Sequence, residues 1–287
     1  PGIVLCNTIT QSYWLISARM LRMRTICHVR EAETQINSLL NEFLLAPLVF
    51  SQLLIANSAA TQQYLRQSRL LRSKESIVVY NGKDWSAYAG QHPSVASSPS
   101  VRLGVIGRIS PRKGQDVAID ALALLRDRGF QVNLDFYGDV FTGYEWYRDQ
   151  LDDQIQRHEL GGSVRFCGFV DDVTTILPQL DIAIVPTRLE PFGTVAAESM
   201  ASGRLTVVSN VQGLIEIVED QVTGLVFESE DAQDLAAVIQ RVLANPEDYH
   251  RVADAGRQSV RERFSTVRHS REMVSARCRL EPLNGSC

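Results

Sequence analysis

From Val101 onward, short runs of aliphatic and β-branched residues alternate with longer stretches whose apolar positions recur every three or four residues. The runs 101–106, 131–137, 163–167, 181–185, 205–209 and 224–227 read as strands. Segments 115–128, 144–159, 173–180, 194–202 and 213–218 read as helices between them, and two more helices follow near 232–244 and 246–264. Strands that alternate with helices of this length imply βαβ units and a parallel sheet. Such sheets bind ligands beyond the carboxyl ends of their strands, so residues just after a strand are the first candidates for chemistry.

Upstream, 3–6, 24–29, 53–56 and 76–79 read as strands, with apolar helical stretches between the first three. This reads as the tail of a similar α/β domain, joined midway. Between the two regions lies Asp84-Trp-Ser-Ala-Tyr-Ala-Gly through Ser100, rich in Ser, Ala, Gly and Pro, which reads as a linker.

Composition narrows the class. The chain has 287 residues, 45% hydrophobic and 22% charged, as expected of a globular protein of about two domains. The net charge of −4 gives no reason to expect nucleic acid as a partner. The balance is uneven, because residues 1–82 hold eight Lys or Arg against four Glu. That basic third fits docking on an anionic membrane or a lipid-linked acceptor, and fits a solvated helix face as well. The most apolar window, 39–60, is broken by Asn41, Glu42, Pro47, Ser51 and Gln52, so it does not read as a spanning helix. The five cysteines show no zinc spacing and no disulfide framework, which favours a reducing cytosol.

Two loops carry candidate chemistry. The first, Gly107-Arg108-Ile109-Ser110-Pro111-Arg112-Lys113-Gly114, follows a strand and supplies three cations just before a helix. Guanidinium and ammonium groups suit phosphate oxygens, and the helix start adds partial positive charge. A solvated basic turn explains this loop alone equally well. The second is Arg188-Leu189-Glu190-Pro191-Phe192-Gly193-Thr194 and onward to Gly203. Pro191 biases Glu190 toward extended backbone, Gly193 permits close approach, and the helix from Thr194 places Glu198 about one turn inside. The amides of Phe192, Gly193 and Thr194 could meet an anion there. One acid before an anion-favouring helix start and one inside it suit polyols on either side of a phosphate group. Together the loops could clamp a diphosphate.

These residues resemble the donor site of family 4 glycosyltransferases of the GT-B fold. Glu190 to Glu198 matches an E-P-F-G-x(4)-E pattern, flanked by Ala201, Gly203, Val207-Val208 and Gly213-x-x-Glu216. The loop from Gly107-Arg108 to Lys113-Gly114 resembles that family's diphosphate loop. Cys167-Gly168-Phe169-Val170 resembles its base-recognition turn, and Thr223-Gly224-Leu225 a further motif strand. The likeness runs from about Tyr80 to Phe264. Leu205 and Gln212 depart from the family's usual Pro and Gly, and neither change removes a charge. Arg30-Glu31 stands where the family often has a His-Asp pair, and His28 beside it reads equally as a packing residue.

The resemblance implies an α/β protein of GT-B type, with two Rossmann-like domains on parallel sheets and the first incomplete. Residues 1–83 would be the C-terminal part of the acceptor-side domain and 84–100 the linker. Residues 101–264 would bind the donor, and the tail 265–287 would include a helix crossing back. It implies sugar transfer with retention from a UDP- or GDP-sugar to a glycan or lipid-linked acceptor, as in cell-surface polysaccharide synthesis. The nucleotide-sugar would be a co-substrate, with no metal or other cofactor. Arg108, Lys113 and Glu190 would be catalytic: the two cations neutralise the diphosphate and Glu190 holds the donor sugar. Phe192, Gly193, Thr194 and Gly107 would line the donor, Glu198 would hold the ribose, and Phe169 and Val170 would meet the base. The expected location is cytoplasmic, at the inner face of a membrane if the protein associates with one. Two rivals remain: a nucleotide-sugar epimerase on the same fold, and a donor-binding fragment without turnover.

Overall fold

A computed structural model of the chain describes residues 2–32, 38–88 and 100–280. The chain forms two compact units, Pro1–Asp84 with Phe264–Cys287, and Trp85–Arg263. Most of the expected linker, 89–99, lies outside the described residues. Its first residues pack rather than float: Trp85 and Tyr88 are buried and meet edge to face at 5.6 Å.

The first unit runs β1 (Ile3–Cys6), α1 (Tyr13–Met20), β2 (Arg24–Val29), α2 (Ser38–Leu45), β3 (Leu53–Ala56), α3 (Ala59–Gln67) and β4 (Ser76–Val78). Its sheet is parallel in the order β1-β2-β3-β4. Alternate side chains serve opposite faces, as a period of two requires. Cys27, Val29, Leu54 and Ala56 pack with Leu15, Leu45, Leu48, Tyr64 and Leu65. Ile26, Leu53, Ile55 and Val79 pack with Ala276. The helix α3 begins where the Ser58 side chain accepts the Thr61 N–H, relieving one of the unpaired donors of a helix start.

The second unit runs β5 (Val101–Ile106), α4 (Gln115–Asp127), β6 (Val132–Tyr137), α5 (Glu145–Arg157), β7 (Val164–Phe166), β8 (Ile182–Val185), α6 (Thr194–Ala201), β9 (Leu205–Ser209), α7 (Gln212–Ile215), β10 (Leu225–Phe227), α8 (Ala232–Ala244) and α9 (Pro246–Arg263). All its strands are parallel, in the order β10-β9-β8-β5-β6-β7. Counted within the unit this is 3-2-1-4-5-6 read from the other edge, a doubly wound sheet whose order reverses between β5 and β8. The crevice beyond the carboxyl ends of those two strands is where such sheets take ligands. The core is continuous from Leu103, Val105, Leu134 and Ile184 in the sheet to Leu122, Leu125, Leu235 and Ile239 on α4 and α8.

The last helix, α10 (Thr266–Cys278), belongs to the first unit, and its Ala276 and Met273 cover that sheet. Ser265 caps it by accepting the Arg268 N–H. Two expected helices differ in kind. Segment 173–180 is a pair of 3-10 turns, Val173–Thr175 and Leu177–Gln179. Pro178 lacks the N–H that a continuing α-helix needs, and the Asp172 side chain draws the Thr174 N–H into a local turn. The helix expected over 213–218 is the single turn α7. Cys6, Cys27 and Cys167 are free thiols, whereas Cys278 is disulfide-bonded, which the cysteine spacing does not indicate.

Candidate active site

The loops after β5 and β8 are stitched together at the point where the sheet order reverses. The Lys113 Nζ donates to Glu190 Oε2 at 2.7 Å, an ion pair whose side chains are 26% and 16% exposed. Arg112 Nε donates to the Leu189 carbonyl at 3.0 Å, and the Arg188 N–H donates to the Arg112 carbonyl at 2.9 Å. The buried Thr187 hydroxyl donates to the Arg112 and Leu189 carbonyls, at 2.9 and 3.1 Å. These contacts fix the two backbones relative to one another.

Close backbone approach has a specific origin. Gly114 holds φ +68° directly against Pro186, and a Cβ there would collide with the Pro186 carbonyl oxygen. Only glycine accepts both the left-handed conformation and the contact. Gly193, at φ +100°, ends the second loop and starts α6, where its carbonyl accepts the Ala197 N–H. The Gly213 N–H donates to the Glu190 carbonyl at 3.1 Å, so the main chain at Glu190 is held from α7 as well.

Each candidate residue then has a place. Gly107 and the exposed Arg108 stand at the end of β5, and the Arg108 guanidinium lies over the Phe141 ring, 4.8 Å from its centroid. Phe192 is buried at 4% exposure, so its side chain is part of the packing and its backbone is what the loop presents. Thr194 is exposed at the first position of α6, and Glu198 is buried in the next turn at 8% exposure. Phe169, 67% exposed, and Val170 follow β7. Their turn is joined to the end of β6 by the Gly138 N–H donating to the Gly168 carbonyl at 2.8 Å. That turn stands two strands from β5, roughly 10 Å at ordinary strand spacing. The structure therefore brings Lys113 and Glu190 into contact at the crossover, with Gly193 beside Glu190 and Gly107 beside Lys113. The Arg108 side chain lies toward Phe141, after β6, and Phe169 and Val170 stand further along the same edge.

Sequence reasoning missed the frame behind these residues. Arg188 forks onto Asp116 in the first turn of α4 and also reaches Glu230 at 2.6 Å. The Tyr147 hydroxyl donates to Asp116 at 2.7 Å. Burial pushes the Asp116 carboxyl up, but the hydrogen bonds from Arg188 and Tyr147 outweigh it and hold it below its ordinary value. The Asp116 hydrogen bond raises the Arg188 guanidinium further, so the pair stays ionised. The available signal was an Arg two residues before Glu190 and an Asp two residues after Gly114. Nothing in the sequence joins them. Gln115, fully buried, donates to the Arg108 carbonyl at 2.8 Å and braces the first loop from below.

The structure thus sets two cations and a helix start at the switch point of a doubly wound parallel sheet. The chain belongs to the glycosyl transferases group 1 family, whose model matches residues 94–259. It is 34% identical over 195 residues to a glycogen synthase of Mycobacterium tuberculosis, covering 66% of this chain and 45% of that protein. It is 31% identical over 241 residues to a D-inositol 3-phosphate glycosyltransferase of Geodermatophilus obscurus, covering 78% of this chain and 51% of that protein. The chain thus spans about half the length of these relatives. Among solved structures, Anabaena HepE in complex with UDP and glucose superposes with a TM-score of 0.87 at 26% identity, over 97% of this chain and 78% of that one. The two parallel α/β sheets are those of a GT-B glycosyltransferase. Among the described residues no helix is long and apolar enough to cross a membrane.

Proposed function

We propose that this site binds a nucleotide-activated sugar, a UDP-sugar by likeness to HepE or otherwise a GDP-sugar, and transfers the sugar with retention and without a bound metal. One observation carries the reading: a cationic loop and a loop ending at a helix start are bound to each other across Lys113 and Glu190 at the switch point. Arg108 and Lys113 neutralise the diphosphate, and the amides at Gly193 and Thr194 add donors at the start of α6. Glu190 holds hydroxyls of the donor sugar and Glu198 those of the ribose, while the Phe169–Val170 turn meets the base. Negative charge grows on the departing diphosphate, and fixed cations and amides stabilise it most where it grows.

The acceptor is a glycan or a lipid-linked glycan, as in cell-surface polysaccharide synthesis at the cytoplasmic side of a membrane. The lipid-linked form is favoured by α1, whose Tyr13, Trp14, Ile16 and Met20 are exposed, with Leu21 exposed just beyond it. Residues 1–30 contain Arg19, Arg22, Arg24 and Arg30 and no acidic residue. Aromatic and apolar side chains beside arginines suit an anionic interface. Flotation with phosphatidylglycerol vesicles tests this, and equal recovery with neutral vesicles removes it.

The reaction itself is tested by incubating the protein with UDP- and GDP-sugars and separating the products by chromatography. Free nucleotide is the expected product. A changed sugar still attached to its nucleotide would indicate epimerisation instead, and binding without either product a donor-binding module.

A further inference from the structure

The group assigned above to the phosphate and the group assigned to the sugar hold each other. Lys113 and Glu190 are paired at 2.7 Å, and both side chains are largely withdrawn from water. The backbones behind them are pinned. Leu189 is held by Arg112 and Thr187, Glu190 by the Gly213 N–H, and Lys113 by its own N–H on the Ser110 carbonyl. The pair can therefore open by side-chain rotation while the loops stay in place.

We propose that Glu190 is a placeholder for phosphate on Lys113, and that this makes the site discriminate between an intact nucleotide-sugar and the nucleoside diphosphate alone. The proposal rests on the nucleotide-sugar reading above. A diphosphate that claims Lys113 leaves the Glu190 carboxylate without its cation in a poorly hydrated position, which is costly. An intact donor compensates by presenting sugar hydroxyls that donate to the same carboxylate. A bare diphosphate has none, and its freed terminal phosphate brings an additional negative charge near the carboxylate. The product therefore competes with Glu190 for Lys113, whereas the donor satisfies both. Discrimination of this kind comes from leaving a group unpaired with the wrong ligand, a stronger device than adding a contact to the right one. It also speeds the departure of the nucleotide once the sugar has left.

The test is calorimetry with UDP and with UDP-glucose on the wild-type protein and on Glu190→Gln, which keeps the shape and removes the charge. UDP should bind Glu190→Gln about 3- to 30-fold more tightly than wild type, a range corresponding to roughly 0.6–2 kcal/mol. UDP-glucose should gain less, so the ratio of the two affinities falls. Lys113→Gln should weaken both ligands. Unchanged or weaker UDP binding by Glu190→Gln overturns the placeholder and leaves the donor reading intact. If neither protein binds UDP, GDP or their sugars, the donor reading itself fails and the placeholder fails with it.

Discussion

Arg188 closes a two-point fork on Asp116, Nη1 to Oδ1 at 3.0 Å and Nη2 to Oδ2 at 2.7 Å. This joins the loop after β8 to the first helical turn after the neighbouring strand β5. The planar guanidinium fixes direction as well as distance, so the fork sets how the Glu190 loop lies against the Lys113 loop. Arg188→Met should lower stability by about 1–3 kcal/mol, the usual worth of charge-assisted hydrogen bonds in a partly buried place. Because Asp116 titrates below its ordinary 3.8, its stabilising contribution is present above that pH. It is lost as pH falls through the lower folded value. Urea unfolding of Asp116→Asn at pH 7 and pH 3 should show a smaller acid-side loss than wild type.

Glu198→Ala should weaken nucleotide binding much more than Arg102→Ala. Glu198 is buried in α6 just past the proposed anion position, whereas Arg102 lies on β5 and its 40% exposed side chain stands 3.7 Å from Asp135. Arg165 engages that same Asp135 with two bonds, so loss of Arg102 leaves the acid paired. Equal affinities by calorimetry would remove the ribose assignment.

Gly114→Ala and Gly129→Ala form a matched pair. Both glycines have positive φ, +68° and +87°, but a Cβ at Gly129 meets nothing within 4 Å among the described residues whereas one at Gly114 strikes Pro186. Gly129→Ala should cost about 1–2 kcal/mol from backbone strain alone. Gly114→Ala should cost more and should also depress nucleotide binding, since relief of the collision separates the two loops. Thermal midpoints and calorimetry on the same preparations check both.

His28 supplies a second pH effect, in the first unit. It is 4% exposed, its Nε2 has no hydrogen-bond partner among the described residues, and the His269 ring lies 6.2 Å away. Burial, then the charges of Arg30 and His269, lower its pKa from 6.5 to about 4. The unfolded chain binds this proton at higher pH than the folded one, so stability falls as pH drops from 6.5 toward 4. The loss is on the order of 3 kcal/mol below pH 4. His28→Leu should remove that component, and urea midpoints at pH 7.5 and 4.5 should then lie closer together than in wild type.

The alternation of strand and helix was legible because each element carries its own period, and a period needs only neighbouring residues. The ends of β5, β9 and α8 fall where those periods predict. Segment 173–180 reads as a helix on its apolar spacing, and the structure makes it two 3-10 turns, because Pro178 has no N–H to donate and Asp172 holds a local turn. The candidate residues are legible as two separate loops, the first of which a solvated basic turn explains equally well. That Lys113 and Glu190 meet at 2.7 Å is a contact no local pattern contains.

The sequence by itself determined the elements, the turn chemistry at Gly114 and Pro191, and the residue types on offer to a phosphate and a polyol. The tertiary structure decided which of them meet. β5 and β8 become neighbours only after two intervening strands have been laid to one side of β5, and the crossover then lifts both loops to the same end of the sheet. Strand order is settled by how whole faces bury against one another, a property of the assembled sheet that no stretch of chain carries alone.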